Sequence, residues 1–243
     1  MSETHYFKFS YSVVFAPLVA VLLIWSVFWF ELRFQTNLNH LGVYPRTLSG
    51  LKGVVLSPFI HGSVEHLYNN TIPLAILMAS LFYFYRKIAF KVLVWGVVIS
   101  GLFTWAIARP SYHIGASSAI YFLASFVFFK GIFTKYYRLV ALSLVVVFIY
   151  GSLLWYIFPL KDEISWEGHL GGFLAGLLMA LFIKARIPTV KKFDWEKEDF
   201  NEEEDPFLRQ FDEEGNFIEL PKETSESIKI TYHIRKANEE GEE

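Results

Sequence analysis

A serine and a histidine stand in surroundings that suit nucleophilic catalysis. Ser117 lies among small residues in the segment 114–119, close to the expected start of a helix. A serine hydroxyl attacks only when a base takes its proton, and the free N–H groups of a helix N-terminus favour a developing oxyanion. His169 is the candidate base, because histidine ordinarily titrates near neutrality. Taken alone, Ser117 is better explained as a packing residue, and His169 could equally be a packed or interfacial histidine.

The combination of the two features is more informative than either one. Gly168, Gly172 and Gly176 recur every four residues beside His169 and form one narrow helix face. Such a face allows close helix contact, and a hydrogen bond between Ser117 and His169 requires heavy atoms about 3 Å apart. The spacing therefore predicts a Ser117–His169 pair held between two helices.

His66 and Asn70 are four residues apart and share one face of a predicted helix. Both side chains can donate hydrogen bonds to an oxyanion, although they could also simply join helices within the bundle. A metal site is a third possibility, but the five-residue spacing from His61 to His66 does not match a ligand motif. The chain has no cysteine. We therefore expect no metal at this site.

The elements that must position these side chains are membrane helices. Of the 243 residues, 53% are hydrophobic and only 19% are charged, and a helix needs roughly 20 apolar residues to cross a bilayer. We interpret the first of the charge-free stretches as a retained anchor rather than a signal peptide. Six such stretches predict an all-α, polytopic bundle of six transmembrane helices: 9–30, 66–85, 92–108, 110–129, 139–160 and 168–183.

The distribution of charge predicts orientation and domain boundaries. Lysine and arginine are concentrated in the connections 86–91 and 130–138 and after the sixth stretch, which places both termini in the cytoplasm. After residue 186 there are 18 acidic and 8 basic residues. We expect a membrane domain over 1–186 and an acidic, largely disordered or weakly structured cytoplasmic tail over 187–243. Within the tail, 202–205 should be extended and 228–234 alternates like a strand.

The motifs occur in an order that resembles the rhomboid intramembrane serine proteases. They are His61-x4-His66-x3-Asn70, then Gly115-x-Ser117, then His169 followed by glycines, on the second, fourth and sixth predicted spans. The resemblance covers about residues 12 to 186 and implies the six-span rhomboid fold. The acidic tail lies outside it.

The resemblance implies a role for each of these residues. Ser117 would be the nucleophile and His169 the base, with no third acidic partner. His66, Asn70 and the backbone amide of Ser117 would form an oxyanion hole. The resemblance also implies supporting residues. The ring of Tyr121 would stack on His169, Gly115 and Gly172 would support the site, and His61 would be a structural histidine in a loop. Ser118 departs from the family, which commonly has glycine there.

The implied activity is cleavage of transmembrane protein substrates within the lipid bilayer. We expect no cofactor and no nucleic-acid partner, and a bacterial inner or other cell membrane as the location. A non-catalytic relative that binds transmembrane helices would tolerate loss of the serine or histidine, whereas this chain has both. A small transporter would be expected to show repeated halves, and the sequence shows no such duplication.

Overall fold

The computed structural model describes residues 9–149, 155–161, 164–184 and 193–218. Within these ranges the chain is helical and forms no β-strand; its β-pairing is limited to two isolated bridges, Val43 with His113 and Phe211 with Phe217. The α-helices are α1 (Ser12–Phe34), α2 (Gly53–Leu56), α3 (Val64–Phe84), α4 (Ala89–Ile107), α5 (Ser117–Phe133), α6 (Tyr137–Ile149) and α7 (Trp166–Phe182). Short 3-10 turns lie between α1 and α3 at Asn39–Leu41, Ser49–Lys52 and Ser57–Phe59.

Three of these helices are long and apolar enough to cross a membrane. They are α1, α3 and α4, with 23, 21 and 19 residues. At 1.5 Å per residue, helices of this length match a hydrocarbon core of about 30 Å. The helices α5, α6 and α7 are also apolar but shorter. The predicted helical membrane fold is therefore confirmed for the described residues, while the count of six spans remains a prediction.

The helix bounds differ most from the charge-free stretches in the fourth and fifth of them. The fourth stretch was expected from residue 110, but α5 begins at Ser117. The backbone before Ser117 makes tertiary rather than helical hydrogen bonds. His113 exchanges two backbone hydrogen bonds with Val43, at 2.9 and 3.0 Å, and the Gly115 N–H donates to the Ser57 carbonyl oxygen. In the fifth stretch, 139–160, α6 occupies the first part, residues 150–154 lie outside the described residues, and Trp155–Ile157 is a 3-10 turn.

The helices α5 and α7 form the largest interface among the described elements. The rings of Phe122 and Phe126 on α5 are fully buried in the core. At the far end of the pair, Lys130 Nζ donates to the carbonyl oxygens of Ala180 at 2.9 Å and Ile183 at 2.5 Å. The last carbonyl groups of a helix have no partner within the helix, so a buried amine from α5 caps the carboxyl end of α7.

The chain divides into two compact units, Met1–Thr189 and Val190–Glu243. In the second unit, short 3-10 turns lie at Asp194–Glu196, Glu202–Glu204 and Leu208–Gln210. The expectation that 202–205 is extended is wrong, because the Asn201 side chain accepts from the Glu203 N–H at 3.1 Å and stabilises a turn. The acidic side chains at 202–204 are exposed, as expected. The predicted strand at 228–234 lies outside the described residues.

Candidate active site

Ser117 is the first residue of α5, and its side chain is partly exposed. Two residues earlier, Gly115 has a φ of 106°, a backbone conformation that favours glycine. A Cβ at Gly115 would also lie 2.6 Å from the Cε1 and Nε2 atoms of His66. Glycine is thus required twice over, for the turn into α5 and for the approach of the His66 ring to the backbone.

Asn70 lies one turn beyond His66 on α3 and faces the same backbone turn. Its Nδ2 atom would be 3.6 Å from a Cβ placed at Gly115. The side chain is 5% exposed, and Nδ2 has no hydrogen-bond partner among the described residues. Burying an amide donor without a partner costs free energy of folding. Because Nδ2 lies beside the turn that leads into Ser117, it is placed to donate to an acceptor that forms there only transiently.

His61 supports the same turn from the loop before α3. Its Nε2 atom is 3.4 Å from the Ala116 backbone nitrogen, which donates to it, and its ring meets that of His66 edge to face at 5.1 Å. Burial lowers the pKa of His61 to about 4, and the nearby His66 contributes a smaller part of this decrease. A ring that stays neutral at neutral pH keeps an acceptor for the Ala116 N–H.

His169 lies in the first turns of α7 and is held on two sides. Its ring stacks on that of Tyr121 from α5, with centroids 4.2 Å apart and planes 13° apart. Its Nδ1 atom is 2.8 Å from the carbonyl oxygen of Tyr156. Because a carbonyl oxygen only accepts, we assign the proton to Nδ1, which leaves the lone pair of the neutral ring on Nε2.

The glycine face of α7 packs directly against the backbone of α5. A Cβ at Gly172 would collide with the carbonyl oxygen of Ser118. One turn further along, a Cβ at Gly176 would lie 2.5 Å from the carbonyl oxygen of Phe122. Ser117 and Gly168 also line one small cavity, so the first turns of α5 and α7 are neighbours.

Comparison with known proteins identifies the family of this chain. A family model described as the rhomboid domain matches residues 49–186. The chain belongs to the rhomboid family. The resemblance inferred from the motifs is thereby confirmed, and the protein is an integral membrane protein of this family.

The rhomboid chain is also similar to uncharacterized mycobacterial proteins. Relatives from Mycobacterium bovis and Mycobacterium tuberculosis are 34% identical over 155 residues, which is 59% of this chain and 64% of theirs. A relative from Mycobacterium leprae is 29% identical over 160 residues, covering 61% of this chain and 62% of its own length. The match thus spans less than two thirds of these relatives.

In the rhomboid site the predicted residues form two groups. His66, Asn70 and Gly115 meet at the start of α5, and Tyr121 meets His169. No hydrogen bond joins Ser117 to His169 within the described part of the chain. Such bonds are often long in free enzymes and shorten only when substrate binds.

Sequence reasoning missed the contact of Tyr156 with His169. The group involved is a main-chain carbonyl in a short 3-10 turn, thirteen positions before the histidine. Every residue carries such a carbonyl, so residue type gives no signal for it. Sequence reasoning also assigned no role to His113, which precedes α5, or to Glu167, which lies in the first turn of α7.

A predominantly apolar cavity of about 160 Å³ lies beside Tyr121. It is lined by α5, α6 and the 3-10 turn that carries Ile157, together with Phe173 from α7. The cavity borders the Tyr121 ring that stacks on His169.

Proposed function

We propose that this rhomboid-family protein is an intramembrane serine endopeptidase that cleaves transmembrane segments of membrane proteins. The observation that carries the proposal is the fixed His169 ring, with Tyr121 on its face and the Tyr156 carbonyl on Nδ1. A base held in one tautomer, beside a helix that begins with a serine, is the arrangement that serine activation requires. In this protein the Tyr156 backbone carbonyl would orient the histidine ring, as an acidic side chain does in a catalytic triad.

The proposed reaction begins when His169 Nε2 takes the proton of Ser117 Oγ. The oxygen attacks the substrate carbonyl carbon, and the tetrahedral intermediate collapses as the C–N bond breaks. The proton on Nε2 passes to the leaving amine, which leaves an acyl group on Ser117. Water then attacks the acyl carbon as His169 Nε2 takes its proton. The bond between that carbon and Ser117 Oγ breaks, the proton on Nε2 returns to Oγ, and the carboxylic acid product is released.

The oxyanion of the intermediate would be held by His66, Asn70 and the Ser117 backbone N–H. Among the described residues, Asn70 Nδ2 has no hydrogen-bond partner, and His66 closely approaches Gly115. Both observations support this assignment. The first N–H groups of α5 have no partner within the helix and contribute a partial positive charge. Donors already oriented toward the developing charge need no reorganisation during the reaction.

The proposed membrane arrangement has six spans, with α5, α6 and α7 as the fourth to sixth, and both termini in the cytoplasm of a cell membrane. The excess of lysine and arginine in the connections 86–91 and 130–138 supports this orientation. Substrate helices would enter laterally from the lipid and place a hydrophobic side chain in the cavity beside Tyr121. The domain over 1–186 would catalyse cleavage, and 187–243 would form the cytoplasmic tail.

Reaction with a fluorophosphonate probe tests the proposal. We expect the detergent-solubilised protein to be labelled at Ser117, and His169→Ala to lower the labelling rate by about 10⁴-fold, because the serine loses its base. His40→Ala, which changes an exposed loop histidine, should label like the wild type. Peptide mapping by mass spectrometry identifies the labelled residue.

An unlabelled wild-type protein that is folded and accessible to the probe would contradict the proposal and favour a non-catalytic protein that binds transmembrane helices. Labelling at Ser117 that does not depend on His169 would contradict the dyad alone. A solute flux in proteoliposomes that survives Ser117→Ala would favour a transporter.

Asn70→Ala should separate catalysis from stability. We expect the rate of substrate cleavage to fall by about 100-fold, the usual effect of removing one oxyanion donor. The melting temperature should stay the same or rise, because Nδ2 has no hydrogen bond to lose among the described residues. Cleavage kinetics and thermal unfolding in the same detergent measure both quantities.

Asn69→Ala is the matched control, since Asn69 is the neighbouring asparagine on α3 and is exposed. It should leave the cleavage rate unchanged. A clear loss of stability in Asn70→Ala, in proportion to the loss of cleavage, would assign Asn70 to helix packing instead.

A further inference from the structure

A partly buried polar contact joins the loop before α5 to the first turn of α7. Glu167 is 2% exposed, and its Oε1 atom accepts from the Arg109 backbone N–H at 3.1 Å. The same oxygen is 3.8 Å from Arg109 Nε. The guanidinium also donates through Nη2 to the carbonyl oxygen of Ile164 at 2.8 Å. Arg109 thus contacts Ile164, just before the N-cap residue Ser165, and Glu167, just after it.

A second connection runs parallel to the first. His113 Nδ1 is 2.6 Å from Ser165 Oγ, and His113 Nε2 is 3.0 Å from the carbonyl oxygen of Arg109. Since that carbonyl accepts, Nε2 carries the proton and Nδ1 accepts from the Ser165 hydroxyl. Ser165 Oγ in turn accepts from the Gly168 N–H at 3.2 Å, as the N-cap of α7. Burial lowers the pKa of His113, which favours the neutral ring that this chain of bonds uses.

The loop from 109 to 116 is itself fixed on its other side. His113 is bridged to Val43 through two backbone hydrogen bonds, and the Gly115 N–H donates to Ser57 at 2.9 Å. Ser117 follows directly from this loop, and His169 follows two residues after Glu167. The start of α7 therefore takes its position from the same short segment that leads into Ser117.

Glu167 acts through the helix and not by contact with the base. Two residues along an α-helix turn the side chain by about 200°, so Glu167 points away from the side that His169 presents to Tyr121. We infer that Glu167, through its ion pair and hydrogen bond with Arg109, is a positioning residue that sets the distance between His169 and Ser117. The inference rests on the proposed serine protease function.

The expected effect follows from how strongly reaction rates depend on placement. A misplacement of about 1 Å lowers a rate by about 100-fold. Glu167→Ala removes the acceptor of the Arg109 N–H and leaves the start of α7 without its ionic contact. We expect the maximal rate of fluorophosphonate labelling to fall about 100-fold while the half-saturating probe concentration stays constant. Glu167→Gln retains an oxygen acceptor and should recover about tenfold of the loss.

Lys130→Met provides the matched control, because it removes an anchor at the opposite end of the same helix. Lys130 holds the carbonyl oxygens of Ala180 and Ile183, more than ten residues beyond His169. Its variant should lower the melting temperature and leave the maximal labelling rate within about threefold of wild type, since about 16 Å of helix separates it from the base.

The outcomes are distinguishable. Equal labelling rates for Glu167→Ala and Lys130→Met at matched melting temperatures would overturn the inference and make Glu167 a purely structural anchor. If Glu167→Ala does not fold, Glu167→Gln decides: a lower maximal rate at the wild-type melting temperature supports positioning, and a wild-type rate overturns it. An absence of labelling in the wild type itself would refute the proposed function.

Discussion

Replacing Ser117 by alanine is expected to abolish cleavage of a transmembrane substrate in proteoliposomes and to leave the protein folded. The rate should fall by about 10⁴-fold or more, as expected when a serine nucleophile is lost. Stability should change little, because Ser117 is partly exposed and no side-chain hydrogen bond of Ser117 is present in the described part of the chain. Product formation by gel analysis and thermal unfolding in detergent measure the two effects.

Ser118→Ala is the control for this experiment. Ser118 is the adjacent residue in the first turn of α5 and lines the same small cavity as Ser117. Its variant carries the same small chemical change without removing the proposed nucleophile, so it should retain most of the activity. Cleavage by Ser117→Ala at a rate close to wild type would exclude Ser117 as the nucleophile.

Gly172→Ala should reduce both stability and activity through a single methyl group. In an open helix this substitution stabilises by about 1 kcal/mol. Here the methyl group would meet the Ser118 carbonyl oxygen and approach the Phe122 backbone nitrogen at 3.1 Å. Since backbone atoms cannot rotate away, α7 must move from α5, at a cost of about 1–3 kcal/mol. The same movement separates His169 from Ser117, so cleavage should fall by about 100-fold.

Two further glycine variants test this explanation. Gly176→Ala introduces a similar collision one turn further from His169, so it should lower stability comparably but reduce cleavage less. Gly62→Ala should be neutral in both assays, because its new methyl group would lie 3.6 Å from Ile114 Cδ1, an ordinary contact distance. Unchanged thermal unfolding in Gly172→Ala would show that the two helices are not in the close contact described.

The sequence was informative where chemistry depends on side chains that are unusual in a membrane. His66, Asn70 and His169 are polar residues in otherwise apolar stretches, and such residues face a protein interior. Gly172 and its neighbours indicated a close helix contact because their spacing matches one helix face. These features predicted that the helices carrying Ser117 and His169 meet, and the packing of Gly172 against the Ser118 carbonyl agrees with that prediction.

Features that depend on tertiary contacts could not be predicted in the same way. The charge-free stretch suggested a helix from residue 110, but the backbone before Ser117 bonds to Val43 and Ser57 instead. Apolar composition does not distinguish a helix from a buried loop that satisfies its hydrogen bonds elsewhere. The contact of Glu167 with Arg109 joins residues 58 positions apart, and nothing in the local pattern of either residue indicates it.

The Tyr156 carbonyl has a consequence for how this protein should be mutated. The bond to His169 Nδ1 comes from the main chain, so changes of side chain at position 156 leave the acceptor in place. Alanine scanning and saturation mutagenesis will therefore record position 156 as tolerant wherever the turn at Trp155–Ile157 still forms. Replacing the peptide bond between residues 156 and 157 by an ester weakens that acceptor directly. Backbone chemistry is thus the means of measuring what orients the histidine.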